Sequence, residues 1–202
     1  MMLQIKVYSD YVCPYCYFGE VVLERALAGI EGREKVNVEW MPFELRSKPT
    51  PTLKPEGDYL QNTWRDSVYP MADQLGIEMK LPHVSPQPYT HLAFEGFQFA
   101  KEKGLGEKYT DRMFRAFFQE ELDIGDVAIL TKLAGEVGLD ETEFREALES
   151  RKYKAAHQQA LKHAYEEIGV QAVPTFIIGD KIVRGLLPEE DLRRLIKLEL
   201  EE

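Results

Sequence analysis

The sequence LQIKVYSDYVCPYCYFGEVVLERAL, residues 3–27, contains the pattern from which the fold is predicted. Its first six residues alternate between apolar and polar side chains and predict a β-strand. The residues after Cys16 follow a helical pattern, and Pro14 suits the first helical position because a proline there sacrifices no hydrogen bond. Cys13 and Cys16 are therefore predicted to lie one turn apart at the N-terminus of a helix that directly follows a strand.

These two cysteines are the only ones in the 202 residues, so a disulfide scaffold is excluded. They could fill core space, form half of a zinc site or act as a redox dithiol. Zinc would need two further ligands, and no two histidines lie at a tight metal-ligand spacing, so they are predicted to be surface or capping residues. The histidines are His83, His91, His157 and His163. A helix N-terminus favours a thiolate, and CxxC after a first strand is typical of redox dithiols, so the context favours redox chemistry.

The charge balance and the apolar runs of the sequence limit which partners and which compartment the protein can have. The chain has 25 Lys plus Arg against 35 Asp plus Glu, a net charge of -10. This excess of acid argues against nucleic acid and anionic membrane surfaces as partners. No apolar run approaches the length of a membrane span, and the first residues lack the apolar core of a secretory signal. The sequence therefore predicts a cytoplasmic protein with no nucleic-acid or membrane partner, and leaves its oligomeric state open.

A long helical region separates two segments of mixed character. A second alternating strand is predicted near 33–43, and no strand pattern follows between 58 and 168. The predicted helices cover about 58–75, 89–103, 107–121, 126–137, 141–150 and 152–168. Asp126 is a predicted N-cap, and Asp140 with Glu143 forms a predicted capping box. Aromatic residues at helical spacing are predicted to form the core of this region: Trp64, Phe94, Phe97, Phe114 and Phe117.

The last forty residues return to strands and a helix. Residues 172–185 predict a β-hairpin around a Gly-Asp turn, and an amphipathic helix follows Pro188. The order of elements is therefore strand, CxxC helix, strand, helical block, long helix, hairpin and helix. A first βαβ unit and a final αββα unit flank the helical block.

This plan resembles the thioredoxin fold of the DsbA family, and more closely its FrnE-like branch. The motifs that carry the resemblance are SDYVCPYCYFG at 9–19, PFEL at 42–45, FQEELDIGD at 118–126 and GVQAVPTF at 169–176. The resemblance implies an α/β thioredoxin fold with an inserted all-helical block. It divides the chain into a discontinuous thioredoxin-fold domain, 1–55 and 151–202, and a helical insertion, 56–150.

The resemblance also implies thiol–disulfide exchange at the cysteine pair. Cys13 would be the nucleophile and Cys16 the resolving thiol, with Pro174 as a cis-proline facing them. Polypeptide or small-molecule thiols and disulfides are the implied substrates, with no metal or organic cofactor and with glutathione as a candidate reductant. The residues implied to contact substrate are Pro14, Tyr15, Val173 and Pro174. The best-known periplasmic members carry His where this chain has Tyr15.

Two expectations concern access to the site. Cys13 is predicted to be exposed and reactive, with Cys16 more buried. The inserted helices are predicted to wall a groove beside the cysteine pair, because the chain leaves and re-enters the thioredoxin core near it. Tyr15 and Tyr17 either shape access to this groove or pack beside the helix start.

Two other functions remain open. Kappa-type glutathione transferases and hydroxychromene carboxylate isomerases share the overall plan, but they hold a single nucleophile or a Ser at the active turn. The presence of both Cys13 and Cys16 favours redox chemistry over that alternative. A non-enzymatic adaptor that presents substrates to a protease could use the same fold.

Overall fold

The computed structural model describes residues 2–201, so Met1 and Glu202, the ends of the predicted discontinuous domain, lie outside the described residues. The strands are β1 (Leu3–Ser9), β2 (Val36–Pro42), β3 (Thr175–Ile178) and β4 (Lys181–Arg184). The helices are α1 (Pro14–Ala28), α2 (Asp58–Thr63), α3 (Tyr69–Leu75), α4 (His91–Glu102), α5 (Gly106–Phe118), α6 (Val127–Glu136), α7 (Glu141–Glu149), α8 (Lys154–Lys162) and α9 (Glu189–Glu201). A 3₁₀ turn (Arg33–Lys35) precedes β2, and π-helical turns follow α2 (Trp64–Val68) and α8 (His163–Glu167).

One mixed sheet with the strand order β2-β1-β3-β4 forms the centre of the fold. β1 is parallel to β2 and antiparallel to β3, and β3 and β4 form the antiparallel hairpin that the sequence predicts. Tyr8, near the end of β1, pairs with Thr175, the first residue of β3. This register brings Pro174, the residue before β3, to the end of the sheet at which β1 leads into the cysteine pair.

Helix α1 begins and packs as the sequence predicts. Pro14 occupies the first turn, and Cys13 is the N-cap residue with an extended backbone. At the other end, the guanidinium group of Arg193 in α9 donates hydrogen bonds to the carbonyl groups of Arg25 and Ala26, at 3.2 and 3.3 Å. These bonds serve carbonyls in the last turn of α1, where a helix lacks its own donors.

The helical region from 58 to 168 contains no strand among the described residues, as predicted. The helix predicted over 58–75 is interrupted by a π-helical turn in which the Tyr69 N–H bonds to the carbonyl of Trp64, five residues earlier. Pro70 follows directly and has no N–H to donate, so a regular α-helical ladder cannot continue through this point. Proline therefore explains the irregularity.

The aromatic core joins the helical region to the sheet. The ring of Phe114 in α5 packs against Tyr11, Tyr17 and Trp40, with centroids 5.4, 5.6 and 6.3 Å apart. All five aromatic residues predicted as core are buried. A single cluster of buried side chains includes residues from both predicted parts of the chain, and the division at 56 and 150 stays a prediction.

Two helices have the side-chain N-caps that the sequence predicts. Asp126 accepts a hydrogen bond from the Ile129 N–H at 3.0 Å, and Asp140 accepts one from the Glu143 N–H at 2.8 Å. The predicted capping box is half formed, because the carboxylate of Glu143 accepts instead from Lys103 at 2.9 Å. Lys103, which directly follows α4, competes for that carboxylate, and local sequence cannot show this.

We expect Gly96→Ala to lower the free energy of unfolding by about 1–2 kcal/mol, measured by chemical denaturation. A Cβ at Gly96 in α4 would meet the Tyr109 hydroxyl and lie 2.6 Å from the Phe144 ring. Both groups are buried, so the strain exceeds the gain of about 1 kcal/mol that alanine brings to a helix. The control is Gly135→Ala in α6, whose Cβ would meet only the flexible side chain of Glu141 and should not destabilise. Equal effects of the two substitutions would contradict this account.

Candidate active site

The cysteine pair lies where β1 ends and α1 begins. The Cys13 carbonyl accepts hydrogen bonds from the N–H groups of Cys16 and Tyr17, at 3.0 and 3.3 Å, so it closes the first turn of α1. The Cys13 N–H in turn donates to the carbonyl of Asp10 at 3.1 Å. Both cysteines are free thiols. The backbone thus holds Cys13 at the N-terminus of α1 and Cys16 one turn further along the helix.

The expectation that Cys13 is exposed is wrong. Cys13 is 5% exposed and Cys16 is 1% exposed, so the two keep the predicted order but are both buried. Cys13 is covered because its Sγ lies 3.8 Å from the Val173 carbonyl oxygen, on a segment 160 residues away. Burial raises the pKa of the Cys16 thiol well above its usual range, and the neighbouring Cys13 adds to that rise. Cys16 is therefore held in the thiol form.

The segment before β3 forms one wall of the cysteine site. The Val173–Pro174 peptide bond is cis, and Pro174 is buried. Its Cγ lies 3.2 Å from the position that a Cβ on Gly19 would occupy, one turn beyond Cys16 on α1. Among residues 2–201, the Val173 N–H has no hydrogen-bond partner, and the sheet ladder begins only at Thr175. The backbone of Val173 therefore lies beside Cys13 through its carbonyl group, with its N–H unpaired in the described part of the chain.

A cavity of ≈ 140 Å³ opens beside Cys13. Its walls come from 12–15 at the cysteine turn, 45–53 after β2, 59–64 in α2 and the π-helical turn, and 87–90 before α4. The prediction that inserted helices wall a groove beside the cysteine pair is confirmed. The lining is mainly apolar, as is usual in pockets that bind organic ligands.

The two tyrosines of the cysteine turn differ in position. Tyr15 lines the cavity, and its ring packs edge-on against Phe18, with the ring centroids 6.1 Å apart. Tyr17 is buried on the opposite side, stacked on Phe118 at 5.7 Å, with its hydroxyl accepting a hydrogen bond from Gln119. Tyr15 can therefore contact a substrate, whereas Tyr17 packs in the core.

Asp10 is a site residue that the sequence analysis missed. Asp10 lines the cavity and is 1% exposed, and its Oδ2 accepts a hydrogen bond from the Leu45 N–H at 2.8 Å. The other oxygen, Oδ1, has no partner with hydrogen-bond geometry in the described part of the chain. Burial raises the pKa of Asp10 to about 7, against the opposing effects of the Leu45 amide and the nearby Thr90 hydroxyl. A charged residue directly after an apolar strand was the signal available in the sequence.

A buried His–Glu pair corrects the expectation that His157 is a surface or capping residue. His157 is 2% exposed, and its Nε2 lies 2.6 Å from Glu44 Oε1. Its ring stacks on that of Phe94, with the ring centroids 5.5 Å apart, and the Phe94 ring stacks on that of Tyr11, with centroids 4.4 Å apart. Glu44 directly precedes Leu45, the residue whose N–H donates to Asp10. The other histidines are at least partly exposed: His83, His91 and His163.

Within residues 2–201, no group of three or more His, Cys, Asp or Glu side chains is placed to hold a metal ion. No helix in the same range is both long enough and apolar enough to cross a membrane.

We expect Asp10→Asn to change the pH dependence of stability. Between about pH 4 and 7 the unfolded chain has lost the Asp10 proton while the folded chain retains it, so stability falls as pH rises. Asparagine keeps an oxygen for the Leu45 amide but does not ionise. Relative to the variant, the wild-type free energy of unfolding should therefore drop by up to about 1.4 kcal/mol per pH unit in this window, measured by denaturant unfolding. A constant difference between the two proteins would contradict the pKa assignment.

The fold and the site together define a thioredoxin-fold protein with a CxxC motif at the first helix. The family model for a DSBA-like thioredoxin domain matches residues 4–197, and the chain therefore belongs to that family. It is 54% identical over 197 residues to "Uncharacterized protein YwbO" of Bacillus subtilis (strain 168), covering 97% of this chain and 96% of that one.

Solved structures share the fold. A probable DsbA oxidoreductase, SCO1869 from Streptomyces coelicolor, is similar with a TM-score of 0.84 and 24% identity, covering 99% of this chain and 91% of that chain. The cytosolic disulfide reductase DsbM from Pseudomonas aeruginosa, solved with GSH, is similar with a TM-score of 0.73 and 19% identity. That match covers 98% of this chain and 100% of DsbM. The predicted α/β thioredoxin fold with a helical insertion is confirmed.

Proposed function

We propose that this protein is a cytoplasmic thiol–disulfide oxidoreductase of the FrnE-like branch. The observation that carries the proposal is the Cys13–Cys16 dithiol at the start of α1, with Cys13 lining a cavity and its Sγ 3.8 Å from the Val173 carbonyl oxygen. Structural similarity to an oxidoreductase named cytosolic, DsbM, supports the compartment.

The reaction proceeds in two exchange steps. The Cys13 thiolate attacks one sulfur of a substrate disulfide, whose S–S bond breaks to release a substrate thiolate and leave a mixed disulfide. Cys16 then loses its proton and attacks Cys13 Sγ, which forms the Cys13–Cys16 disulfide and releases the second substrate thiolate. The substrate gains two electrons and the cysteine pair loses two. Oxidation of a dithiol substrate runs the same steps in reverse.

The surroundings of the two sulfurs suit their different roles. Burial keeps Cys16 in the thiol form until Cys13 is engaged, which favours attack by Cys13 first. An extended substrate can pair with the Val173 backbone while Pro14, Tyr15 and Pro174 surround its sulfur. Because Pro174 has no N–H, it crowds the sulfur atoms without offering a competing donor.

A thiol must return the oxidised pair to the dithiol state. We propose glutathione as this reductant, because the related fold of DsbM is known with GSH. Each turnover would then convert two glutathione molecules into glutathione disulfide, which balances the two electrons taken by the Cys13–Cys16 disulfide.

The experiment is reduction of insulin by dithiothreitol with and without the protein. An active dithiol should accelerate the reaction, whereas a non-enzymatic adaptor should leave its rate unchanged. A kappa-type glutathione transferase should conjugate its substrate, and a hydroxychromene carboxylate isomerase should isomerise its substrate. Neither reaction should form a Cys13–Cys16 disulfide. Mass spectrometry after alkylation follows that disulfide directly. No acceleration and no disulfide would contradict the proposed function.

The direction of electron flow follows from one further measurement, the reduction potential of the Cys13–Cys16 pair equilibrated with glutathione buffers. A potential well below the cytosolic glutathione poise identifies a reductase. A potential well above it identifies an oxidase or isomerase.

A further inference from the structure

The cavity beside Cys13 combines a buried carboxyl group with aromatic rings. Asp10 Oδ1 is buried and meets no donor with hydrogen-bond geometry among residues 2–201, although the Thr90 hydroxyl and the Val12 N–H lie near the carboxyl group. Three aromatic residues line the same space: Tyr15, Tyr59 and Trp64. Aromatic faces attract cations, and a buried carboxylate is satisfied by a positively charged N–H donor. We propose that this pocket selects disulfide substrates that carry an ammonium or guanidinium group next to the reacting sulfur. This substrate preference rests on the exchange reaction proposed above.

The position of Asp10 relative to Cys13 supports this assignment. The Cys13 N–H bonds to the Asp10 carbonyl at 3.1 Å, so the carboxyl group belongs to the residue that anchors the reactive turn. A substrate sulfur that reaches Cys13 therefore places its neighbouring atoms in the cavity that Asp10 lines. A volume of ≈ 140 Å³ suits an aminothiol or one side chain and is smaller than a pocket for a drug-sized ligand.

The surrounding charges favour a cation. Arg46 is the one basic residue of the cavity lining in the described chain, but it is exposed and its guanidinium bonds to the Pro51 carbonyl at 3.4 Å. Water and salt screen an exposed charge far more than a buried one. Glu44, which is buried and paired with His157, acts on Asp10 as a like charge and adds negative potential. The net charge of -10 also attracts cationic substrates over a longer range.

The test compares three small disulfides that differ in charge: cystamine (cationic), 2-hydroxyethyl disulfide (neutral) and dithiodiglycolate (anionic). The rate at which each oxidises the reduced Cys13–Cys16 pair is measured by acid quenching, alkylation and mass spectrometry, for wild type and Asp10→Asn. The cystamine-to-dithiodiglycolate rate ratio should be about tenfold or more higher in wild type than in the variant, with the neutral compound between them. Comparison of the two ratios cancels the intrinsic reactivity of each disulfide.

The matched control is Asp180→Asn in the exposed turn between β3 and β4, which removes the same charge away from the cavity and should keep the wild-type ratio. Tyr59→Leu removes an aromatic face from the rim and should lower the ratio about two- to fivefold. Because burial raises the pKa of Asp10 to about 7, the wild-type ratio should be larger at pH 8 than at pH 6. These two readouts keep the test decisive if Asp10→Asn folds poorly.

Equal ratios in wild type and Asp10→Asn, or an equal loss in Asp180→Asn, would overturn the assignment while leaving the exchange reaction intact. A ratio that does not change between pH 6 and 8 would also count against it. If none of the three disulfides oxidises the cysteine pair, the proposed function itself fails and the substrate preference fails with it.

Discussion

Cys13→Ser is expected to lower the rate of disulfide exchange by at least about a thousandfold, because a serine hydroxyl cannot form the mixed disulfide on which both steps depend. The rate is measured by insulin reduction or by oxidation with a small disulfide. Serine is close to cysteine in size, and its hydroxyl can replace the Cys13 thiol as donor to the Val173 carbonyl, so the fold should persist. An unchanged thermal unfolding curve serves as the control.

Cys16→Ser should have a different phenotype. Cys13 can still attack, but no second sulfur lies one turn inside α1 to release the substrate. Mixed disulfides between Cys13 and substrate should therefore accumulate and appear on non-reducing gels and in mass spectra. If Cys16 instead alkylates faster than Cys13 near neutral pH, the two roles are assigned the wrong way round.

We expect Phe114→Ala to lower the free energy of unfolding by about 3–5 kcal/mol, the range for a buried Phe replaced by Ala. The Phe114 ring is fully buried and contacts Tyr11, Tyr17 and Trp40, so its loss opens a cavity between α5 and the sheet. The effect is measured by chemical denaturation with far-ultraviolet circular dichroism and tryptophan fluorescence followed in parallel.

Leu198→Ala is the matched control, because Leu198 in α9 is 54% exposed and its truncation should cost less than about 0.5 kcal/mol. The shared aromatic core also implies that both probes report a single transition. Two separate transitions would contradict a common core and would instead favour residues 56–150 as an independent folding unit.

Local sequence patterns were sufficient for most of the architecture. The strand–CxxC–helix order, the second strand, the hairpin at 172–185 and the helices of the insertion all follow from the period of apolar residues and from caps such as Asp126. These features depend on residues within one or two turns of each other, which is why the sequence predicts them. The π-helical turn before Pro70 shows the limit, since the proline marks an irregularity without specifying its form.

The chemical identity of the site was also predictable, because the spacing of Cys13 and Cys16 and their position at a helix N-terminus are properties of one short segment. Its environment was not. Cys13 is buried because the Val173 carbonyl lies over it, and Asp10 is held by the amide of Leu45. The His157–Glu44 pair joins residues 113 positions apart.

Each of these contacts joins segments that are distant in the chain and that the sheet register and the helical packing bring together. Desolvation and missing hydrogen-bond partners depend on every atom around a group, so no local pattern reports them. The reactive pair and the order of elements around it follow from the amino-acid sequence. The depth at which the sulfurs are buried, and the carboxyl group in the same cavity as Cys13, follow from the folded arrangement, because burial is a property of packing between distant residues.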